Sequence, residues 1–346
     1  MIERCLELSR AGMGHVAPNP MVGCVITCNG EIIGEGFHRT YGGDHAEIEA
    51  LKSVKDPSLL HQSTLYVSLE PCNHHGKTPP CTKAIIESGI PKVVIGMTDP
   101  NPRVSGSGIA ALREAGIEVE GPVMEAECLW VNRRFVIFHM EKRPYIILKW
   151  AQSCDGFMNV TPDIKKNGEP FWISSEPSRW LVHQWRKEEF AVLTGSDTVL
   201  NDNPRLTVRA MSGRNPVRIV LDRRGRVKGD FHVLDQDAPT WIMCSEERAE
   251  EGTLKYIRLN NDAPLKEVLL TLYNEGVQSV LVEAGANLLR AFIDADLWDE
   301  ARVFSAPHPL GDGTAAPAIK GIQPRVEQIH TDILNVYHHK HPPERR

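Results

Sequence analysis

The sequence predicts an α/β protein of two domains, and three observations support this prediction. The chain has 346 residues, which is more than one hydrophobic core usually holds. Strand-like apolar runs alternate with amphipathic helical segments along most of its length. Around EKRPYIILKW a charged segment and a proline precede a fresh apolar run, which indicates a boundary near residues 140–144. We therefore expect domains at 1–141 and 142–346.

The first domain is predicted to begin with a helix and a hairpin and to continue as alternating elements. ERCLELSRAG has the pattern of an amphipathic helix, and the turn Asn29-Gly30 in MVGCVITCNGEIIGEGF is typical of a hairpin. The elements that follow are the helix DHAEIEALKSV, the strand TLYVSLE, the helix CTKAIIESGI, the strand KVVIGMTD, the helix GIAALREAG and the short strand IEVEGPV. Alternation after a hairpin predicts a mixed, partly parallel sheet.

The second domain repeats this alternation. Its predicted strands are PYIILKWA, FAVLTG, VRIVLD, TWIMCS, SVLVEAG and DEARVFSAP, and its predicted helices are SSEPSRWLVHQWRKE, PLKEVLLTLYNEG and NLLRAFIDADL. It lacks a G-x-G-x-x-G motif after a strand, which argues against a standard Rossmann domain.

Composition and charge narrow the class of protein. A hydrophobic content of 41% and a charged content of 24% are typical of a globular chain. The net charge of −6 argues against binding nucleic acid through a general electrostatic surface. MIERCLELSRAGMGH lacks the apolar run of a signal peptide, and no stretch approaches the roughly 18 apolar residues that span a bilayer. We expect a cytoplasmic protein whose eight cysteines are reduced thiols or metal ligands.

Three short motifs of the first domain predict a zinc site. His45 and Glu47 stand at the predicted start of a helix, and Cys72 and Cys81 each follow a proline. A helix N-terminus lowers the pKa of a cysteine and favours the thiolate that binds zinc. One imidazole and two thiolates leave the fourth tetrahedral position for water, as catalytic zinc requires. Glu47 would then move protons, and the set predicts hydrolysis.

Simpler interpretations of these residues stay open at this point. Glu47 can be the partner of Asp44 in a helix capping box, which is compatible with a catalytic role. A single buried cysteine is more often a small hydrophobic residue than a ligand. His74 and His75 are rival zinc ligands, but both together would close the open position, so we assign them to the pocket wall.

The motifs of the first half resemble a known enzyme family. His-x-Glu followed by Pro-Cys and a second Cys is the signature of zinc-dependent nucleobase deaminases, although the spacing here is Cys-x8-Cys instead of Cys-x2-Cys. EPCNHHGKTPPC, APNPMVGCV, GEGFH and DPNPRVSGSG closely resemble the bifunctional riboflavin-biosynthesis deaminase-reductases, and the resemblance covers essentially the whole chain. It implies a cytidine deaminase-like α/β/α domain followed by a dihydrofolate reductase-like α/β domain.

The resemblance implies that the first half is a hydrolase. Its reaction would be deamination of 2,5-diamino-6-(ribosylamino)-4(3H)-pyrimidinone 5′-phosphate to 5-amino-6-(5-phosphoribosylamino)uracil. One zinc ion per chain would be held by His45, Cys72 and Cys81, with Glu47 as the proton shuttle. The implied contacts to the pyrimidine or its phosphate are Asn19, His38 and Lys77. Asn19 can instead only form an Asn-Pro turn, and Lys77 can instead be solvated.

The resemblance implies that the second half reduces the ribosyl group to ribityl with NADPH. It rests on LKWAQSCDG, FWISS, GSDTVLNDNPRLTVR and VEAGANLL. The implied NADPH contacts are Ala151, Trp172, Thr198, Asp202, Gly285, Ala286, Asn287 and Leu288. The implied substrate contacts are Arg186, Leu206, Arg209 and Glu283. The turn at Gly285 can also be an ordinary connection between a strand and a helix, and a single arginine is more often a solvated charge than a phosphate ligand.

One segment departs from the family pattern. TPDIKKNGEPFW is longer than the usual loop, and Pro170 stands where a substrate-contacting serine is common. Proline has no side-chain donor, so that contact is lost or passes to a backbone carbonyl. We expect a phosphorylated pyrimidine as ligand, no nucleic acid or membrane partner, and a homo-oligomer. There are two alternatives. One is a nucleic-acid or free-nucleoside deaminase with an unrelated second domain, and the other is a structural zinc site in a binding protein.

Overall fold

The computed structural model describes residues 1–74, 79–101, 104–159, 172–246 and 248–339. The chain forms two compact units that divide between Lys142 and Arg143. Each unit has its own β-sheet with helices, so the α/β class predicted for both halves is confirmed. Among the described residues, no helix has the length and apolar character needed to cross a membrane.

The first unit is built on a five-stranded mixed sheet. Its helices are α1 (Ile2–Arg10), α2 (Ala46–Ser53), α3 (Cys81–Ser88), α4 (Ser107–Glu114), α5 (Glu125–Val131) and α6 (Arg133–Glu141), with a 3-10 helix at Pro57–Gln62. Its strands are β1 (Gly23–Cys28), β2 (Glu31–Phe37), β3 (Ser63–Val67), β4 (Lys92–Ile95) and β5 (Glu118–Glu120), in the order β2-β1-β3-β4-β5. β1 is antiparallel to β2 and β3, whereas β3, β4 and β5 are parallel.

The predicted hairpin joins β1 and β2. Asn29 and Gly30 have φ values of 52° and 87°, which are the left-handed conformations that a tight two-residue hairpin turn needs. Both residue types tolerate that region at low steric cost. The turn chemistry of the sequence therefore places the hairpin correctly.

Helices cover both faces of this sheet, because its strands alternate their buried side chains. Leu65 and Val67 of β3 belong to a core shared with α2, α3 and α4. Tyr66, between them, packs into a second core formed with α1 and α5. Successive side chains of a strand point to opposite faces, so two separate cores require helices on each side. The result is the three-layer α/β/α arrangement that the resemblance implied.

α2 lies unusually close to the sheet. A Cβ added at Gly36 of β2 would lie 2.4 Å from the amide nitrogen of Ala50 and 2.6 Å from the carbonyl oxygen of Ala46. Only glycine leaves room for the two backbones to approach this far. This contact fixes the helix that begins directly after His45.

The second unit contains a nine-stranded sheet. Its helices are α7 (Glu176–Glu188), α8 (Ser196–Asp202), α9 (Leu265–Asn274) and α10 (Ala286–Asp294). Its strands are β6 (Tyr145–Gln152), β7 (Ala191–Gly195), β8 (Val217–Leu221), β9 (Thr240–Cys244), β10 (Leu254–Arg258), β11 (Ser279–Glu283), β12 (Glu300–Ser305), β13 (Arg325–Ile329) and β14 (Asp332–His338). The order is β10-β9-β8-β7-β11-β6-β12-β14-β13, parallel from β10 to β12 and antiparallel beyond.

Every strand predicted for the second unit is present, but both units contain elements that the patterns did not predict. These are α5, α6, α8, β10, β13 and β14. β14 buries alternate residues against its neighbour, and β13 is mostly exposed at the sheet edge. A short edge strand with few apolar residues has a weak periodic signal, because pairing with the neighbouring strand stabilises it more than burial does.

Candidate active sites

The three predicted zinc ligands come from different elements of the first unit. His45 is the N-cap residue of α2, Cys72 lies in the loop after β3, and Cys81 is the first residue of α3. The Cys81 side chain is buried and that of Cys72 is half-buried. The Cys81 backbone N–H, at the start of α3, donates to Cys72 Sγ at 3.4 Å, which favours the Cys72 thiolate.

The spacing of these side chains matches a tetrahedral zinc site. His45 Nδ1 is 3.2 Å from Cys81 Sγ and 3.5 Å from Cys72 Sγ. Zinc bonds of about 2.0 Å to nitrogen and about 2.3 Å to sulfur place such ligand atoms about 3.6 Å apart at tetrahedral angles. All three ligand atoms lie within 4.8 Å of one another, and within the described ranges this is the one cluster of metal-ligating side chains detected. The donor set therefore fits zinc and leaves one position open.

The negative charge of the two cysteines also favours a bound cation. Hydrogen bonds from the Cys81 thiol and from His45 lower the pKa of the Cys72 thiol to about 4. The pKa of Cys81 is raised, because its thiol donates that hydrogen bond and is buried. Two thiolates at this distance repel each other, and a divalent cation between them removes the repulsion.

Glu47 lies two residues beyond His45, in the first turn of α2. Its side chain is buried, with 3% exposed. Burial, and then the neighbouring Cys72 thiolate, raise the pKa of Glu47 to about 7. A carboxyl group with such a pKa can both accept and release a proton near neutral pH. The capping box considered for Glu47 is wrong, because the helix begins after His45 and the Asp44 carboxylate pairs with Lys52 instead.

Asn19 and His38 lie beside the zinc ligands. The His38 ring contacts the His45 ring edge-on, with centroids 5.3 Å apart. His38 Nδ1 is 2.8 Å from the carbonyl oxygen of Asp44, which can only accept, so this nitrogen carries the proton. His38 Nε2 then accepts from Asn19 Nδ2 at 3.0 Å, and burial lowers the pKa of His38, which keeps the ring neutral. This arrangement leaves Asn19 Oδ1 on the side away from His38.

Two expected residues of the first site lie outside the described part of the chain. These are Lys77 and His75, and Pro170 of the second half is likewise outside it. His74 lies within the described ranges. Its side chain is exposed, and it does not belong to the cluster of three ligands.

In the second unit, Arg186 and Glu283 form a buried ion pair. Arg186 Nε donates to Glu283 Oε1 at 2.6 Å, and Arg186 Nη2 donates to Glu283 Oε2 at 2.9 Å. Lys149 Nζ lies 3.4 Å from Glu283 Oε2. Burial opposes ionisation of Glu283, but the charges of Arg186 and Lys149 outweigh it and lower the pKa of the carboxyl to about 2. Two of the three guanidinium nitrogens of Arg186 are thus bound to Glu283.

Leu206 and Arg209 lie on the segment that follows α8. Arg186 Nη1 donates to the carbonyl oxygen of Thr207 at 3.1 Å, which ties this segment to α7. The Arg209 backbone N–H donates to His183 Nδ1 at 3.4 Å. Leu206 has a φ of 55°, unusual for a leucine, and its side chain is buried. All four residues expected to contact the substrate therefore lie on a connected set of elements.

Most of the residues expected to bind NADPH lie at the carboxyl ends of central strands of the second sheet. The parallel strands β7, β11 and β6 are neighbours, so α8, α10 and the end of β6 lie together there. Gly285, the N-cap of α10, donates its backbone N–H to Thr198 Oγ1 at 3.1 Å. Ligands of open parallel sheets bind outside the carboxyl ends of the strands, and helix N-termini there attract phosphates. This donor set fits the pyrophosphate of a dinucleotide.

The remaining expected cofactor residues differ in their surroundings. Ala151 is half-buried near the end of β6, and Asp202 is exposed at the last position of α8. Trp172 is 53% exposed, and the Arg179 guanidinium lies 4.9 Å from the centre of one of its rings. Ala286, Asn287 and Leu288 form the first turn of α10. An exposed tryptophan of this kind offers a flat surface for stacking.

Comparison with known proteins decides the family. The riboflavin biosynthesis protein RibD of Aquifex aeolicus (strain VF5) is 40% identical over 314 residues, which cover 89% of this chain and 86% of that protein. RibD of Escherichia coli (strain K12) is 38% identical, over 89% of this chain and 87% of its own length. The chain belongs to the RibD family. The resemblance stated from the motifs is thereby confirmed.

Family models and solved structures agree with the RibD assignment. Residues 1–97 match the cytidine and deoxycytidylate deaminase zinc-binding region, and residues 144–338 match the RibD C-terminal domain. A solved diaminohydroxyphosphoribosylaminopyrimidine deaminase/5-amino-6-(5-phosphoribosylamino)uracil reductase from Thermotoga maritima has a TM-score of 0.86, with 38% identity and 97% of both chains covered. RibD of Acinetobacter baumannii, form 1, has a TM-score of 0.86 at 35% identity, also over 97% of both chains.

The sequence motifs did not indicate two polar residues of the RibD C-terminal domain. Lys149 interrupts the apolar strand YIILKWAQ, and a charged residue inside a buried strand is itself a signal of a polar partner. His183 lies three residues before Arg186 on α7, hence on the same helix face. Burial lowers the pKa of His183 to about 4, and the charges of Arg186 and Arg209 act in the same direction.

Proposed function

We propose that this chain catalyses two successive reactions of riboflavin synthesis, one in each unit. Residues 1–141 would deaminate 2,5-diamino-6-(ribosylamino)-4(3H)-pyrimidinone 5′-phosphate by hydrolysis, releasing ammonia. Residues 142–346 would reduce the ribosyl group of the product, 5-amino-6-(5-phosphoribosylamino)uracil, to ribityl with NADPH. The observation that carries the proposal is the His45, Cys72 and Cys81 cluster with a buried Glu47 beside it, in a chain of the RibD family.

The deamination site would work through the protons that Glu47 handles. A zinc ion held by His45, Cys72 and Cys81 would supply Lewis-acid chemistry, which makes hydroxide available near neutral pH. Glu47 would carry the two protons of the attacking water in turn, one to the ring nitrogen as the C–O bond forms and one to the amino group that leaves as ammonia when the C–N bond breaks. Its burial keeps the carboxyl away from bulk water, which would otherwise exchange those protons.

Asn19 would orient the pyrimidine ring. Its amide nitrogen is held by His38 Nε2 at 3.0 Å, so its oxygen is available to accept from an N–H or amino group of the heterocycle. His38 fixes this orientation, because its own tautomer is set by the Asp44 carbonyl. Lys77 would complete the site as a cation for the 5′-phosphate, as the family motif implies.

The reduction site would use an excess of positive charge. Lys149 and Arg186 pair with the Glu283 carboxylate, and Arg209 interacts with the charge of the same group. The surplus suits a ribose phosphate dianion. Because the Leu206 side chain is buried, its substrate contact would be made by its backbone.

NADPH would bind at the carboxyl ends of β6, β7 and β11. Thr198, Gly285 and the first turn of α10, formed by Ala286, Asn287 and Leu288, would bind its pyrophosphate. Ala151, Trp172 and Asp202 would line the rest of its site. The cofactor supplies the hydride, so the residues of the chain are needed to position it over the sugar carbon.

Ammonia release from the diaminopyrimidine phosphate tests the first reaction. We expect Glu47→Gln to lower the rate by about 10²- to 10⁴-fold while the zinc content stays at one ion per chain, because the side chain handles protons and is not a ligand. Glu49→Gln is the matched control on the same helix, where the carboxylate pairs with Arg39 in solvent. Full ammonia release by Glu47→Gln would support a structural zinc site instead.

NADPH oxidation with the deaminated pyrimidine supplied directly tests the second reaction. Thr198→Val removes the hydroxyl that accepts the Gly285 N–H, and we expect a higher KM for NADPH. Thr271→Val on α9, where the hydroxyl bonds only its own helix, is the control. A zinc-loaded, folded chain that shows neither reaction would refute the proposal, and tight salt-sensitive RNA binding would favour the nucleic-acid deaminase.

We also propose that the protein is a cytoplasmic homo-oligomer. Light scattering behind size-exclusion chromatography measures the mass in solution, and a mass of one chain would contradict the expected assembly.

A further inference from the structure

Glu70 is a buried carboxylate two residues before the zinc ligand Cys72. Its side chain is 3% exposed, although no basic residue is recorded as its partner within the described ranges. Both of its oxygens accept backbone N–H groups from the segment that connects β4 to α4 and from the start of that helix. The donors are Asp99 at 3.1 Å, Gly106 at 3.0 Å, Gly108 at 2.9 Å and Ile109 at 3.2 Å.

These four bonds use the acceptor capacity of an ionised carboxylate. Each oxygen receives two N–H groups, and the donors at the start of α4 also carry the positive end of the helix dipole. Hydrogen bonds to a charged group are about twice as strong as neutral ones. An amide side chain of the same shape would turn an N–H₂ group toward N–H donors, which cannot bond each other.

The residues that follow Glu70 are held on two sides. We call residues 70–73 the Cys72 segment. On one side, a Cβ added at Gly108 would lie 2.0 Å from the Pro71 carbonyl oxygen, so this loop rests directly on the start of α4. On the other side, the Cys72 carbonyl oxygen accepts from the Thr82 backbone N–H at 3.2 Å, next to Cys81.

Asn73 joins these two sides. Its Nδ2 donates to the Ser107 carbonyl oxygen at 3.3 Å, and its Oδ1 accepts from the Thr82 hydroxyl at 2.8 Å. The Cys72 segment therefore spans from the first turn of α4 to the first turn of α3. Glu70 makes more of these bonds than any other side chain of the segment.

We propose that Glu70 is a positioning residue of the zinc site, which anchors the Cys72 segment on the start of α4 so that Cys72 Sγ lies within bonding distance of the ion. The inference rests on the proposed zinc site and goes beyond its ligand set. Replacement of residues that orient metal ligands typically lowers metal affinity about 10- to 100-fold. We expect a loss of this size for Glu70→Gln.

The experiment measures zinc binding by the full-length chain. The metal is removed, and Zn²⁺ is titrated in competition with a chromogenic chelator of known affinity. We expect Glu70→Gln to raise the Kd for Zn²⁺ about 10- to 100-fold at a temperature where circular dichroism shows it fully folded. Glu70→Asp keeps the charge but is shorter by one methylene, so its Kd should lie between those of the wild type and Glu70→Gln.

Cobalt replacement adds a spectroscopic readout. Co²⁺ bound by two thiolates and one imidazole has charge-transfer and ligand-field bands that report its geometry. Displacement of Cys72 should weaken the thiolate charge-transfer band in Glu70→Gln, whereas a purely structural role of Glu70 would lower the Tm and leave the band and the Kd unchanged.

Two further variants keep the test decisive. Gly108→Ala pushes on the Pro71 carbonyl with Glu70 intact, and should also raise the Kd. Asp222→Asn is the matched control in the other unit, since this buried carboxylate accepts the N–H groups of Arg226 at 3.0 Å and Val227 at 2.8 Å. It should lower the Tm and leave zinc binding unchanged.

The outcomes separate this inference from the proposed function. A Kd within about twofold of the wild type in Glu70→Gln would overturn the inference, and if that variant does not fold, Glu70→Asp and Gly108→Ala decide it by the same criterion. Zinc binding needs no turnover. A wild-type chain that binds zinc but releases no ammonia would refute the deaminase function and leave the role of Glu70 standing.

Discussion

The buried pair of Arg186 and Glu283 gives the sharpest prediction about stability. In Arg186→Met, Glu283 loses both hydrogen bonds from the guanidinium and keeps Lys149 Nζ at 3.4 Å. The carboxyl pKa is lowered from 4.5 to about 2 in the folded chain. A difference of roughly two and a half pKa units corresponds to about 3 kcal/mol of folding free energy. This shift is the joint effect of Arg186 and Lys149 against burial. Breaking a buried pair from one side typically costs about 3–5 kcal/mol, and we therefore expect a loss of about 3 kcal/mol for Arg186→Met.

The assay is urea unfolding of the full chain followed by tryptophan fluorescence. Six of the seven tryptophans lie after residue 142, so the signal reports mainly the second unit. We expect Arg186→Met to lower the free energy of unfolding of that unit by about 3 kcal/mol at pH 7. Lys187→Met, one residue further along α7, is the control for loss of a charge from the same helix, and should change it by less than about 0.5 kcal/mol.

The pH dependence has a defined sign. Since the folded pKa of Glu283 lies below the unfolded value, its stabilisation is present above 4.5 and is lost as the pH falls toward 2. The difference between wild type and Arg186→Met should therefore shrink to about half near pH 3. An equal difference at both pH values, or none at pH 7, would refute the assignment. The triple variant Lys149→Met/Arg186→Met/Glu283→Gln should recover part of the loss, because none of the three charges then stays buried without a partner.

Three further predictions concern the first unit. Removal of zinc by a chelator should abolish ammonia release, because the clustered ligands belong to the first unit. NADPH oxidation with the deaminated pyrimidine should stay intact. Loss of both activities together would contradict separate sites. Gly36→Ala should lower the free energy of unfolding by about 1–3 kcal/mol, measured by denaturant titration, because its Cβ would meet the Ala50 amide at 2.4 Å. Asn19→Ala should raise the KM for the diaminopyrimidine phosphate about 10-fold or more, because one buried hydrogen bond to the ring is lost. The zinc content should not change. An unchanged KM would show that Asn19 does not contact the pyrimidine.

Much of the fold follows from local patterns. The Asn29-Gly30 turn, the alternation of apolar residues and the prolines before both cysteines predict the hairpin, most helices and the junctions that carry the zinc ligands. The elements that these patterns miss are short or at sheet edges, where pairing with a neighbouring strand decides the structure. Asp44 is an instructive error, since its position fits a helix cap but an ion pair with Lys52 takes its carboxylate.

The sequence by itself predicted the chemistry of the first site, because residue types and their order indicate zinc ligands and a proton carrier. The substrate and cofactor contacts expected of the second half came from the family resemblance of its motifs. Only the tertiary structure decided which groups meet. The backbone donors that bind Glu70 are about 30 to 40 residues away in sequence, and Arg186 and Glu283 are separated by 97 residues. Hydrogen bonds and ion pairs act over a few ångströms, so contacts between residues this far apart in sequence exist only once the sheets and helices have packed.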